Sequence, residues 1–591
     1  MTFLPPPLNN SPDLSTPRSI CPDILILMLP LQFILLLFIV SLPRELNDAA
    51  QGVPLPALHL LPAPLAYVVL LMAQLGIVLL AVLKTRRTIR LMHNSTESAS
   101  VISRKADVTY IQCRLGASLL TGAVLFCTPL AATFVPWFNG TAVLKYFMVP
   151  ELLFMLPAVL AWLAIWTAGF YVEEALRQRC LPYQLAQAAP VHDMPSLGSY
   201  LAMQARHNFY PVFFLLLQGF INAAADIPRG VTHSDALAGT ADIVATCLGI
   251  LLLVALLPVL LTRIWSTKPL HGSLRQQLEK VAARHGLRFR DIRLWNTHHM
   301  ILNAAVVGWL PRGRYFLITD TLVESLSDDQ LEAVFAHEVG HGIHWHLPWL
   351  MAAILGVVGL ASGAGELAVA AMNLSNTQGN MVSLALSSAL LCVFGVAAIG
   401  WISPRFEHQA DWFACRHMAL RLRESPPAVA APNVGKALPA TLAAALTAAP
   451  TPAEQVTVAQ YRAGVYPHNP QGAPVPVEPA ADSPARPPEI IGAEIFISSL
   501  DAIIENSHRD RDRRGLFHPS VAQRASLLRR LALDPTAETT FNKSLRRVRW
   551  GIILFAAVGA VTLGAAIYVE STHPTGTDNT AATAAATSDA P

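Results

Sequence analysis

Apolar residues in this chain gather into long runs and are not spread at amphipathic spacing. A helix needs about 20 mostly apolar residues to cross a bilayer. Such runs lie near 23–42, 62–83, 116–136, 147–170, 209–225, 241–263, 349–371, 381–403 and 550–569. The pattern predicts about nine spans, and so a mainly α, multi-pass membrane protein. The run at 209–225 is short and carries Gln218 and Asn222, which with Asp226 recur every fourth residue on one helix face. Interhelical hydrogen bonding accounts for them; a polar transport path is the sharper alternative. Ahead of the first run stands a proline-rich tail with a single arginine, Arg18, and no A-x-A site follows it. That run reads as a retained anchor and not as a cleaved signal.

Composition agrees. The chain has 591 residues, of which 53% are hydrophobic and 14% charged, with a mean hydropathy of +0.43. Soluble domains carry about 25% charged residues, so a soluble cytosolic enzyme is excluded. A net charge of +3 (42 basic against 39 acidic) gives no nucleic-acid footprint. The seven cysteines include no CxxC pair, which removes a thiolate metal cage and a disulfide framework.

Basic residues orient the spans. Lys84, Arg86, Arg87, Arg90, Arg104, Lys105 and Arg114 follow the second run, and Arg177, Arg179 and Arg206 follow the fourth, whereas the alternate loops hold one basic residue each or none. The N-terminus is therefore expected in the cytoplasm, and the polar segments 266–346 and 404–548 fall on that same side. The expected organisation is a tail (1–22), a six-span region (23–265), a first water-facing part (266–346), a membrane hairpin (347–403) and a second water-facing part (404–424). An Ala/Pro-rich flexible insertion (425–490), a third water-facing part (491–548), a last span (549–570) and a disordered Ala/Thr-rich tail (571–591) complete it.

The strongest local signal is AHEVGHGIHWH at 336–346. Ser327, Asp328, Asp329 and Gln330 mark a capped helix start, and Leu331, Val334, Phe335 and Val339 continue at helical spacing. His337 and His341, four residues apart, project from one face, where two neutral imidazoles can grip one Zn²⁺. Glu338 stands beside the first of them, placed to accept a proton from water at the metal. The metzincin position for a third histidine is Leu347, so that class is excluded, and His344 and His346 lie at the wrong offsets to join the same ion. His346 reads as structural or interfacial. After the hairpin comes SPRFEHQADWFACR at 403–416, with Glu407 and Asp411 again at i, i+4. Glu407 can supply the third ligand, and Asp411 can accept a hydrogen bond from a ligating imidazole.

HEVGH, a membrane hairpin and then FEHQAD together resemble the integral-membrane zinc metallopeptidases that include HtpX-like quality-control proteases and the type I CAAX prenyl endopeptidases. ILNAAVVG (301–308) is similar to that family's edge-strand segment, and HPSVAQR (518–524) to its late His-Pro…Arg element. The resemblance covers roughly 265–425 and 490–535, leaving the leading spans and the insertion unexplained. It departs at Pro404, which precedes Arg405 and is expected to shift the start of the acidic helix. The resemblance implies a cytoplasmic zincin-like α+β domain, one zinc ion, His518 as oxyanion donor braced by Arg524, and Asn303 as a substrate-backbone contact. A packed histidine at a helix start is the other reading of His518.

From the residues themselves, AAVVGW and RYFLIT flank a PRG turn and read as a hairpin whose free edge can take an extended peptide. The expected activity is zinc-dependent cleavage of membrane-associated proteins or peptides at the cytoplasmic membrane surface, in membrane-protein quality control. The alternatives are processing of lipidated C-termini and a non-catalytic scaffold or transporter. A site-2-type intramembrane protease is disfavoured, because Asp328, Asp329 and Glu332 surround the HExxH. Alanine-rich, cysteine-poor composition points to a bacterial plasma membrane. Partners are the bilayer and a protein or peptide substrate.

Overall fold

Helices built from the apolar runs dominate the protein. The computed structural model describes residues 63–95, 99–127, 149–186, 192–210, 255–372, 376–424, 487–506 and 519–572, with Leu252, Arg511 and Asp512. Among these, five helices are long and apolar enough to cross a membrane: Pro64–Asn94, Leu153–Arg179, His346–Met372, Ala385–Glu424 and Pro535–Val569. They correspond to the runs at 62–83, 147–170, 349–371, 381–403 and 550–569. The runs at 23–42, 116–136, 209–225 and 241–263 lie wholly or partly outside the described residues, which therefore carry five such helices and not nine. Residues 425–486 of the insertion, 573–591 of the last tail and His518 also fall outside them, whereas 488–490 and 571–572, expected in the flexible insertion and the disordered tail, are helical.

The leading bundle consists of α1 (Ala63–Asn94), α2 (Ala99–Cys127) and α3 (Val149–Ala186). Trp162, Trp166, Phe154 and Met155 of α3 form its core, and the Trp162 indole donates to the Arg114 carbonyl at 3.1 Å. The outer face of α1 leaves Leu71, Leu75, Leu79 and Leu80 exposed, a surface suited to lipid. Helix α4 (Leu197–Phe209), capped by Ser196, closes one end through Tyr200 and Met203.

The mixed α/β part begins with β1 (Thr267–Pro269), α5 (Ser273–Arg284), β2 (Asp291–Trp295), β3 (Ala304–Val307) and β4 (Tyr315–Thr319). The sheet order is β1-β2-β4-β3, with β2 and β4 parallel and the other pairs antiparallel. A 3₁₀ turn at Pro311–Gly313 joins β3 to β4, giving the expected hairpin. The central strand β4 is buried at all five residues, and β3 forms an edge. After α6 (Asp320–Ser325), helix α7 (Asp328–Ile343) starts at Ser327 with a complete capping box to Gln330. Its Leu331, Phe335 and Val339 enter the main core, where Phe335 packs on Phe316 at 4.5 Å between ring centres.

Helix α8 (His346–Met372) follows, and then α9 (Asn376–Glu424). Pro404 lies inside α9, one continuous helix of 49 residues, so the acidic helix does not start there as expected. Proline removes one backbone hydrogen bond here, and the Arg405 guanidinium donates to the Trp401 carbonyl one turn back. Helices α10 (Pro488–Asn506), α11 (Val521–Leu533) and α12 (Pro535–Thr572) complete the described chain. Phe496, Ile497 and Leu528 join Trp412 and Met418 in the core that also holds α7.

Two packing features lead to tests. Helices α8 and α12 meet backbone to backbone, with Gly356, Gly359 and Gly363 against Ala556, Gly559 and Thr562. Small residues permit that approach. Gly559→Leu is therefore expected to destabilise the protein by at least about 1–3 kcal/mol, read as a lowered melting temperature in detergent. In the mixed α/β part, His285 Nε2 lies 2.8 Å from His417 Nδ1, and His417 Nε2 lies 3.0 Å from Glu332 Oε1. Burial, with His417 and Arg284 nearby, pushes the His285 pKa from 6.5 down to about 4. Between those values the unfolded chain binds more protons than the folded one, so stability declines as pH falls through that window. Melting curves at pH 7 and 4.5 are expected to differ less in His285→Phe than in wild type.

Candidate metal centre

Two helices bring the three candidate donors together. Helix periodicity places His337 and His341 on one face of α7, and α9 crosses that face with Glu407. One donor atom from each of His337, His341 and Glu407 lies within 4.8 Å of the others. The two Nε2 atoms are 3.0 Å apart, and they lie 3.7 and 3.6 Å from the Glu407 carboxylate oxygens.

The far side of each ring decides what Nε2 presents. His337 Nδ1 lies 2.9 Å from Asp411 Oδ1. Asp411 is fully buried and is gripped by both arms of Arg524, at 2.8 and 2.5 Å. Burial disfavours a charge on His337, but the Asp411 hydrogen bond and charge outweigh it and raise the ring's pKa. Arg524 is likewise held charged: burial opposes it, and Asp411 raises its pKa further. Phe496 stacks on His337 at 5.7 Å and lies beneath the Arg524 guanidinium.

His341 has a partner of its own. Its Nδ1 lies 2.7 Å from His346 Nδ1, and His346 Nε2 lies 3.1 Å from Gln409 Oε1. An amide oxygen only accepts, so His346 carries its proton on Nε2 and receives the His341 Nδ1 proton on its own Nδ1. The His341 Nε2 is then left bare. Phe406 fixes the His346 ring by stacking within 4° of parallel. With Asp411 facing Nδ1 of His337, the two Nε2 atoms and a carboxylate converge, and their lone pairs repel unless a proton or a metal cation lies between them. The donor set fits a divalent ion bound by two imidazoles and a carboxylate.

The remaining expected residues are placed as follows. Glu338 Oε2 accepts a hydrogen bond from the Val306 N–H at 2.9 Å, which ties the carboxylate to the edge strand. Asn303 immediately precedes β3 and is bonded through its backbone to Thr319; it lines the cleft in front of the centre. Arg524, expected beside His518, has its guanidinium on Asp411. The His346–Gln409 pair was not anticipated. A continuous helix would carry His346 well round from His341, but α7 ends at Ile343 and Trp345 adopts a left-handed φ of 58°, which swings His346 back.

The cleft has a volume of about 560 Å³ and runs between β3, α7 and the start of α8. Trp309 and Trp345 line it, and Leu347 with Pro348 continue it onto the first turn of α8. The described residues thus combine a helix-borne His-Glu pair facing a buried carboxylate with helices long and apolar enough to cross a membrane. Residues 270–431 match the model of peptidase family M48. No curated protein matches the chain significantly. Among solved structures, the crystal structure of S. mikatae Ste24p aligns at 13% identity and a TM-score of 0.34, covering 80% of this chain and 99% of that one.

The support around the two imidazoles is testable. Asp411→Asn and His346→Phe are each expected to weaken metal retention by about 10- to 100-fold, measured by competition with a chelator.

Proposed function

We propose that the chain is a zinc-dependent endopeptidase that cuts membrane-associated proteins at the cytoplasmic membrane surface, as part of membrane-protein quality control. The observation that carries the reading is the convergence of two imidazole Nε2 atoms and Glu407 beside Glu338, which is itself bonded to an edge strand.

His337, His341 and Glu407 would hold the ion. When bound, zinc supplies Lewis-acid polarisation of a carbonyl and activation of water. The chain's own residues supply the rest. In the β3–β4 pairing Thr319 N–H bonds to the Asn303 carbonyl, and the antiparallel alternation then turns the Ala304 and Val306 backbone groups away from β4. An extended substrate can add to that edge. Glu338 already reaches Val306, so a peptide aligned there passes within reach of its carboxylate. Glu338 accepts the proton of the attacking water and returns it to the leaving amine. Asp411 and His346 keep each imidazole in the tautomer that presents a bare Nε2. His518 is the proposed oxyanion donor, and Asn303 the proposed contact to the substrate backbone.

Placement limits the substrate. Glu407 lies on the same helix as the apolar run 385–402, and the cleft continues onto α8. The bond to be cut is then presented at the membrane surface, not in bulk water. Charge asymmetry of the loops supports the cytoplasmic side, and the bacterial plasma membrane is the proposed location. Zinc analysis of the purified protein, together with comparative proteomics of cells carrying wild type or Glu338→Gln, tests the proposal. Glu338→Gln is expected to keep its metal and lose cleavage by about 10²–10⁴-fold, with membrane proteins accumulating in the mutant, while His337→Ala loses cleavage together with the ion held by His337, His341 and Glu407. Accumulation confined to lipidated C-termini would move the reading to processing. Undiminished cleavage by Glu338→Gln would remove that residue from the mechanism.

A further inference from the structure

A second set of metal-ligating side chains lies where the leading bundle meets the mixed α/β part. His192 follows α3 in the chain, His299 belongs to the loop between β2 and β3, and Glu324 lies on α6. One donor atom from each lies within 4.8 Å of the others. His192 Nε2 is 2.8 Å from Glu324 Oε2 and His299 Nδ1 is 3.5 Å from the same oxygen. The His299 Nδ1 is buried and has no hydrogen-bond partner among the described residues, and a buried polar atom without a partner is costly.

The backbone beneath is built to hold this arrangement. His298 and His299 both adopt left-handed φ values, 54° and 57°, which cost energy for residues with a Cβ and persist only where the surroundings enforce them. The enforcement is visible. Asp320 accepts hydrogen bonds from the Thr297 hydroxyl at 2.5 Å and from the Thr297 and His299 N–H groups, each at 3.1 Å. Arg177 of α3 donates to the carbonyls of His298 and Asp193, each at 3.2 Å, and so binds the two histidine-bearing segments to one guanidinium.

We propose that His192, His299 and Glu324 form a second divalent-metal site that straps the segment behind α3 to the loop feeding the edge strand. Two imidazole nitrogens and a carboxylate oxygen suit Zn²⁺ or another late first-row ion. The two rings are stacked 3.5 Å apart and within 4° of parallel, so loading requires one ring to turn about χ2. His192 is the more exposed of the two and is the ring that turns. Asn303, four residues beyond His299, immediately precedes β3, so an ion here would fix the strand to which substrate is proposed to add. That consequence rests on the peptidase reading; the site itself does not.

The test is metal stoichiometry of the untagged full-length protein in detergent, stripped with chelator and reloaded with Co²⁺ or Zn²⁺. Wild type is expected to take up two ions per chain, one at each donor group. His299→Ala and Glu324→Gln are each expected to lose one ion, His337→Ala to keep one, and His299→Ala/His337→Ala to keep none. Glu324 is partly exposed, so its variant tests the site without disturbing a core. A wild type that saturates at one ion, with that ion lost in His337→Ala and kept in His299→Ala, overturns the proposal. A single ion lost in His299→Ala but kept in His337→Ala supports the second site and instead overturns the peptidase centre.

Discussion

The centre depends on one buried carboxylate. Asp411 has no exposure to solvent and sits between the Arg524 guanidinium and the His337 ring. An unpaired charge at that depth is strongly destabilising, by about 3–5 kcal/mol when one member of a buried pair is removed. The pairing therefore draws α7, α9 and α11 together. Because Glu407 precedes Asp411 by one helical turn, the proposed ligand and the group that orients another ligand move as one rigid unit. The same helix also contains the membrane-length apolar run, so the distance between the centre and that run is set by the helix and not by a flexible linker.

The two imidazoles are supported in chemically different ways. His337 is backed by a carboxylate that is itself neutralised by Arg524, whereas His341 is backed by a neutral relay, His346 to Gln409, buried against Phe406. Charge is thus concentrated on one side of the centre only, and on the other side orientation is achieved without a second buried ion pair. The edge strand completes the arrangement. Val306 offers its N–H to Glu338, so the group proposed to move the proton and the strand proposed to align the peptide are held in register before any substrate arrives.

Much of this was readable from local pattern, because helix periodicity and capping act over a few residues. The spacing of His337 and His341, the capped start at Ser327, the i, i+4 pair Glu407 and Asp411, and the hairpin around Pro311–Gly313 each follow from neighbours in sequence. The apolar runs showed where membrane-length helices form, since about 20 apolar residues are recognisable in any context. Pro404 was expected to shift the start of the acidic helix, whereas α9 runs continuously through it.

What lay beyond the pattern is what depends on atoms brought from far along the chain. Arg524 reaches Asp411 across 113 positions and His346 meets Gln409 across 63, and no periodicity links such pairs. His346 stood in plain view, but its offset from His341 is meaningless on a straight helix; the left-handed turn at Trp345 gives it a role. The sequence by itself determined the helices, the edge hairpin and the identity of the groups able to bind a metal, since these are properties of short segments. Tertiary structure alone decided which proton each imidazole carries, because that is set by whichever acceptor the folded chain delivers to its far nitrogen.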